Sequence, residues 1–186
     1  MRIEDILYFS PNYRFIDLDW KRKEILVEAF RDRIQGFYLV PARILNYRKK
    51  SFAAGVLCVT TIDLLARMAL GSQNTGSRIK KWLLRYMPDC FEETDAKSFY
   101  ENFRNGLVHE GRIKNCGQFS YDYEKAVHVE NRVMVVNPGM LLEKISGAFE
   151  SYMNDVENDD SAFAQFKCAL IQDFRMDVRY ASATSH

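Results

Sequence analysis

The stretch "FRNGLVHEGR", Phe103 to Arg112, sets Arg104 and His109 five residues apart, with Asn105 and Gly106 between them. An imidazole, with an unperturbed pKa of about 6.5, is the natural proton carrier at cellular pH. A guanidinium is a permanent cation whose fork matches phosphate oxygens. An asparagine amide donates and accepts, so it can orient the imidazole or bind an anion itself. Arg104, Asn105 and His109 are therefore the chain's candidates for moving a proton beside a phosphate.

The surrounding segment has the pattern of a helix. With Phe99 at zero and ~100° per residue, Phe103 falls near 40°, Leu107 near 80° and Tyr100 near 100°, which is an apolar stripe. Asn102, Asn105, Gly106 and His109 fall between roughly 240° and 340°, on the far side. Arg104 falls near 140°, at the edge of the stripe, from which a long side chain can still swing across. Asn105 and His109 are i, i+4 neighbours on one face. A glycine inside a helix costs about 1 kcal/mol relative to alanine. Gly106 on that polar face is explained by close approach of a backbone or a phosphate, or by fraying of the helix.

The rest of the chain supplies helices to hold this one. From Asp17 the residues Trp20, Ile25, Leu26, Ala29, Phe30 and Phe37 follow a helical period, and Pro41 should end or kink that helix. Ser51 is placed to cap the next helix, which is apolar almost all round to Leu70 and so belongs at the centre of a bundle. The loop "GSQNTGS" leads to a helix from Ser77 to about Tyr86, stopped by Pro88. Thr94 or Asp95 can cap the helix that carries Arg104. Beyond Gly111, "QFSYDY" and "AVHVENRVMVV" read as a small β-hairpin around 118–136. Asn137 and Pro138 open a helix to about Val156, and a last helix runs from about Ser161 to Tyr180. The expected fold is mainly α: a bundle of about five to six helices with a β-hairpin insert. It forms one domain over 1–186, with an irregular or partly helical lead-in over 1–16 and a frayed tail over 181–186.

Bulk properties narrow the function classes. The chain has 186 residues, 47% hydrophobic and 13% aromatic, with a net charge of +1. That composition argues against disorder and gives no global basic signal. Cys58, Cys90, Cys116 and Cys168 are scattered, without metal-ligand spacing. Ser51–Leu70 is interrupted by Asp63 and Arg67, so it reads as a buried helix and not as a membrane span. Free thiols and charged residues at the start of the chain predict a cytoplasmic location. No metal and no cofactor is expected.

"RNGLVH", Arg104 to His109, resembles the R-x4–6-H motif of the HEPN superfamily, in the version with a polar residue directly after the arginine. The flanking "FYENFRNGLVHEGR" and the earlier "TTIDLLARM" are similar to that family as well. The resemblance implies a metal-independent endoribonuclease that acts as a homodimer, with one composite cleft where the two motif helices meet. It implies Arg104, Asn105 and His109 as the active-site residues. RNA carries its own nucleophile, so attack of the 2′-hydroxyl would leave a 2′,3′-cyclic phosphate and a 5′-hydroxyl. The family also implies a possible toxin or antiviral-defence setting, and a cognate antitoxin or other regulatory partner. Its alternative is a non-catalytic dimeric binding module that scaffolds a protein or nucleic acid.

Local charge fits an RNA substrate. Arg43, Arg48, Lys49 and Lys50 occur without an acid between them, and so do Arg78, Lys80, Lys81 and Arg85. Arg48, Lys49, Lys50, Arg78, Lys80, Lys81, Arg112 and Lys114 are the candidate backbone contacts. Tyr47, Phe52 and Trp82 are aromatics that could stack bases, although aromatics at helical spacing are usually core. Asp63 has two readings. The simpler is an i, i+4 pair with Arg67; the other is that it reaches the motif helix and holds Arg104 or His109. His128 and His186 receive no role.

Overall fold

The molecule is built around α3, Ser51–Leu70, in a computed structural model that describes residues 1–4 and 6–183. Asp5 and residues 184–186, with His186, lie outside the described residues. Along α3, Ala54, Cys58, Val59, Ile62, Leu65, Ala66 and Met68 are fully buried. They face α2 (Val40–Tyr47), α4 (Thr75–Tyr86), α6 (Pro138–Asn158) and α7 (Asp160–Ala183). A helix that is apolar on most sides needs neighbours on most sides, and here it has them. By length and composition α3 could cross a bilayer; in this fold half of its apolar window is buried inside the bundle.

The helices form six continuous rods among the described residues, and the architecture is mainly α, as expected. The first rod starts at Lys23, not Asp17, because Phe15–Asp17 forms a separate 3-10 turn. Pro41 does not end it. α1 (Lys23–Ile34) passes through a π turn at Gln35–Leu39 and continues as α2. The Val40 N–H bonds to the Gln35 carbonyl, five residues back, so the turn before the proline is wide enough to take its ring.

Other boundaries moved for local reasons. Ser51 is the first residue of α3 and Lys50 holds the cap position. α4 begins two residues before Ser77, because the Asn74 side chain accepts from Gly76 N at 3.0 Å and Ser77 N at 3.3 Å. Glu92 precedes α5 (Glu93–Phe99), which puts Thr94 and Asp95 inside its first turn. Asn137 caps α6 as expected, accepting from Gly139 N at 2.9 Å and Met140 N at 3.2 Å. α7 extends to Ala183, three residues past Tyr180 and into the expected tail.

The β insert is richer than a hairpin between the two runs. The hairpin lies entirely within the second run: β4 (Val127–Glu130) pairs antiparallel with β5 (Val133–Val136). Asn131 and Arg132 turn it with φ of 50° and 66°, the left-handed pair that a two-residue hairpin needs. β3 (Gln118–Phe119) joins the other edge of β5 in parallel. The lead-in also carries a short antiparallel pair, β1 (Arg2–Ile3) with β2 (Ile6–Leu7), where an irregular or helical segment was expected.

One hydrophobic cluster runs through the bundle, with Phe30, Ile62, Trp82, Phe99, Phe103, Phe149 and Phe166 at its centre. Trp82 is thus core and not a base-stacking surface residue; its ring tilts against Tyr86 at 5.5 Å. The four cysteines are free. Burial pushes the Cys58 thiol up to about 12.

Candidate active site

After Phe99 the helix that began as α5 changes pitch. Tyr100–Arg104 and Gly106–Glu110 are π turns. The Asn105 N–H reaches the Tyr100 carbonyl and the Gly111 N–H reaches the Gly106 carbonyl, each five residues back. In a regular helix Arg104 and His109 would stand about 140° apart, at ~100° per residue. A turn that closes over five residues brings residues five apart into line. Arg104 Nη1 accordingly lies 3.5 Å from His109 Nε2. A guanidinium only donates, so this contact is a hydrogen bond only with the ring neutral and its proton on Nδ1. His109 itself is exposed.

The apolar side of this helix is anchored as the pattern required. Phe103 stacks on Phe99 with centroids 5.5 Å apart and meets Phe119 of β3 at 5.2 Å. Tyr100 lies across Gly76 of α4, where a Cβ would come within 2.7 Å of the ring.

Asp63 of α3 fixes the arginine. Its Oδ2 accepts from Arg104 Nε at 3.0 Å and Nη2 at 2.9 Å. Its Oδ1 accepts from Arg78 Nη2 at 2.9 Å. Arg67 turns away and pairs with Asp173 of α7, so the simpler i, i+4 reading of Asp63 does not hold. Arg78 is corrected with it: the residue is 7% exposed, and a buried guanidinium on Asp63 and the Gln73 carbonyl cannot be a surface RNA contact. Two guanidiniums share one carboxylate, which leaves one positive charge in excess beside His109.

Asn105 contacts Arg104 and not His109; its Oδ1 accepts from Arg104 Nη1 at 3.3 Å. With Asp63 on two nitrogens and Asn105 on the third, the guanidinium plane is set, and Nη1 is the corner turned toward the imidazole.

Gly106 is explained by a backbone. The chain reverses at Gly111 (φ +66°) and returns along the helix. Arg112 N bonds to Gly106 O at 3.2 Å and Lys114 N to Asn102 O at 3.0 Å. A Cβ on Gly106 would stand 2.3 Å from the Arg112 carbonyl oxygen. Gly106→Ala is expected to destabilise the protein by about 1–3 kcal/mol, the usual cost of overpacking. Hydrogen exchange should show the loss of protection concentrated in 106–117.

Glu110, which sequence reasoning passed over, holds Arg112 at 2.7 Å and Lys114 at 2.5 Å. Its i, i+4 spacing from Lys114 was the available signal. These ion pairs hold the carboxyl of Glu110 below its ordinary value, the Lys114 hydrogen bond first. Arg112 and Lys114 therefore flank the site as paired cations. Asn102 was assigned only to the polar face; its carbonyl and its side chain both bind the returning loop, the latter through Asn115 Nδ2 at 2.8 Å.

The remaining basic candidates do not gather at His109. Arg48, Lys49 and Lys50 form an exposed corner between α2 and α3, without a carboxylate partner among the described residues. Lys49 lies over the Tyr121 ring at 4.8 Å. Lys50 adjoins α3 thirteen residues before Asp63, about 20 Å along the helix axis. Phe52 meets Phe119 at 6.1 Å, and Phe119 meets Phe103, so an aromatic line joins the corner to the motif helix. Tyr47 is 85% exposed and free to stack. Lys80 is half-buried, and Lys81 turns to Gln73 Oε1 at 3.0 Å, away from the motif. No protein-family model matches this chain, and neither does any curated protein or solved structure.

Proposed function

We propose that this protein is a metal-independent endoribonuclease of the HEPN type, acting as a homodimer on RNA in the cytoplasm. The observation that carries the reading is the pairing of Arg104 and His109 across a widened turn, with the guanidinium aligned by Asp63 and the imidazole exposed. His109, its accepting nitrogen turned from Arg104 to the substrate, would take the proton of the 2′-hydroxyl as that oxygen attacks phosphorus. The phosphorus–O5′ bond breaks, and the departing 5′ oxygen takes up a proton. Arg104, with the excess charge of its cluster, would neutralise the phosphorane oxygens. Each chain offers one histidine at the motif, so the second proton carrier would come from the other copy. A toxin or antiviral setting, with a regulatory partner that masks the motif helix, fits this chemistry.

The deciding experiment incubates purified protein with total RNA in excess chelator, beside His109→Ala. Cleavage that needs the histidine and no divalent ion, with cyclic phosphate ends, is the expected result. Equal cleavage by both proteins, or activity from a strictly monomeric form in sedimentation analysis, would sink the composite-site reading. The basic corner gives a second expectation. Replacing Arg48, Lys49 and Lys50 together with glutamine should reduce the slope of log affinity against log salt by about 2, from ~0.7 per lost phosphate contact on single strands. An unchanged slope would place the RNA path elsewhere.

One observation favours the scaffold alternative. Val40, Ile44 and Tyr47 are exposed along one face of α2, at 43%, 57% and 85%, and Phe52 in the first turn of α3 is exposed as well. That apolar stripe is where a non-catalytic module would hold another protein.

A further inference from the structure

The outer side of α7 carries two adjoining cavities, of about 990 Å³ and 340 Å³, which share Ile171 and Arg175 and so form one trough. Its floor is a helical stripe in which Ala164, Cys168, Ile171 and Val178 follow one another on one face. Trp20, from the segment before α1, lines the second cavity, and Arg67 of α3 lines the first. The floor is open to solvent: Ile171 is 44% exposed, and Ala164 and Cys168 are exposed too. From Ala164 to Arg179 the trough runs about 22 Å along the helix, or about four turns.

Every charged side chain of the lining is a cation: Arg67, Lys167, Arg175 and Arg179. Arg67 is neutralised by Asp173, whose two oxygens accept from its Nε at 2.7 Å and 2.6 Å. The other three have no carboxylate partner among the described residues. The field of Asp177, the other acid of this part of α7, falls on the Met1 amino group and Arg33 instead. Arg175 and Arg179 are i, i+4 neighbours, a spacing at which like charges repel. An anion from outside would relieve that repulsion.

We infer that this trough docks an acidic amphipathic helix of a partner protein. Aliphatic residues at i, i+3 or i+4, and i+7 of that helix fill the floor, and its Asp or Glu side chains meet Lys167, Arg175 and Arg179. The aliphatic floor decides against RNA, whose bases stack on aromatic faces; here the one ring is Trp20, itself half-buried. The concave shape decides against a bilayer, which takes an apolar face that projects into it. The inference uses no residue of the motif helix and does not rest on the nuclease reading.

The test pans a library of peptides of about 16 residues, the length of the trough, randomised at every position, against the full chain. Enriched sequences should be acidic, with aliphatic residues at helical spacing, and should bind as labelled peptides with a Kd at or below about 100 μM. Arg175→Glu with Arg179→Glu should weaken that Kd at least about tenfold, since like charges then face each other. The melting temperature of this variant should stay within about 2 °C, because both positions are exposed and unpaired. Bound peptide should slow alkylation of Cys168 in the trough and leave Cys116, exposed elsewhere, unchanged. No enriched sequence, enrichment without an excess of acid, a Kd that the double reversal leaves unmoved, or equal protection of both cysteines overturns the inference. So does tighter binding of a uridine oligonucleotide that the reversal abolishes, which gives the face to RNA. Self-association lost in the reversal variant gives the face to a second copy, and overturns it likewise.

Discussion

His109→Ala should lower RNA cleavage by about 10²–10⁴-fold, the range that a positioned acid or base contributes. It should do so with little effect on stability. The imidazole is exposed, and its contact with Arg104 is a long 3.5 Å. Melting and circular dichroism should therefore match the parent protein while the cyclic-phosphate product disappears. A dimer with one His109→Ala chain and one intact chain is more informative. If the two histidines divide the proton transfers, the mixed dimer falls far below half activity. If each chain is self-sufficient, it retains half.

Asp63→Ala should have the largest effect on folding of any single change near the site. Asp63 is the one carboxylate between Arg78 and Arg104, with side chains 20%, 8% and 15% exposed. Its removal leaves two like charges facing each other with little water to screen them. Breaking a buried pair costs about 3–5 kcal/mol, and the residual exposure here should bring the loss to about 2–4 kcal/mol in chemical denaturation. The cycle with Arg78→Met tests the cause. That second change removes one of the stranded charges and should return part of the loss. Full additivity of the two would mean that Asp63 acts by packing alone. Cleavage should fall with Asp63→Asn as well, which keeps the shape but loses the charge that aligns Arg104.

How far the sequence could foretell this site follows from which signals are local. The Asn137–Pro138 start of α6 was legible because a cap depends on neighbours in the chain. The central place of α3 was legible from its all-round apolar character. Arg104 with His109 was legible as a motif, yet the regular wheel put them on different faces. It assumes one pitch, and nothing in the residue types announces a five-residue turn. The same blindness put an end or a kink at Pro41. Asp63 offered two partners, and the nearer one in sequence was preferred. The choice was settled by Asp173, 106 residues away from Arg67, which no local pattern contains. Arg78 looked like a surface residue of a basic helix, and Trp82 stood between base stacking and the commoner core role; only the packing of α4 against α3 and α6 shows which side of it faces in.

The π turns between Tyr100 and Glu110 make helix pitch and motif spacing two settings of one clock. With a gap of five residues, the guanidinium and the imidazole are in phase only while the coil stays slack. Were Val108 deleted, the gap would be four, and an ordinary tight helix would bring the same two groups together. Anything that winds this segment up by a notch, without shortening it, would carry the ring round to the wrong hour and silence the pair while every side chain remained present.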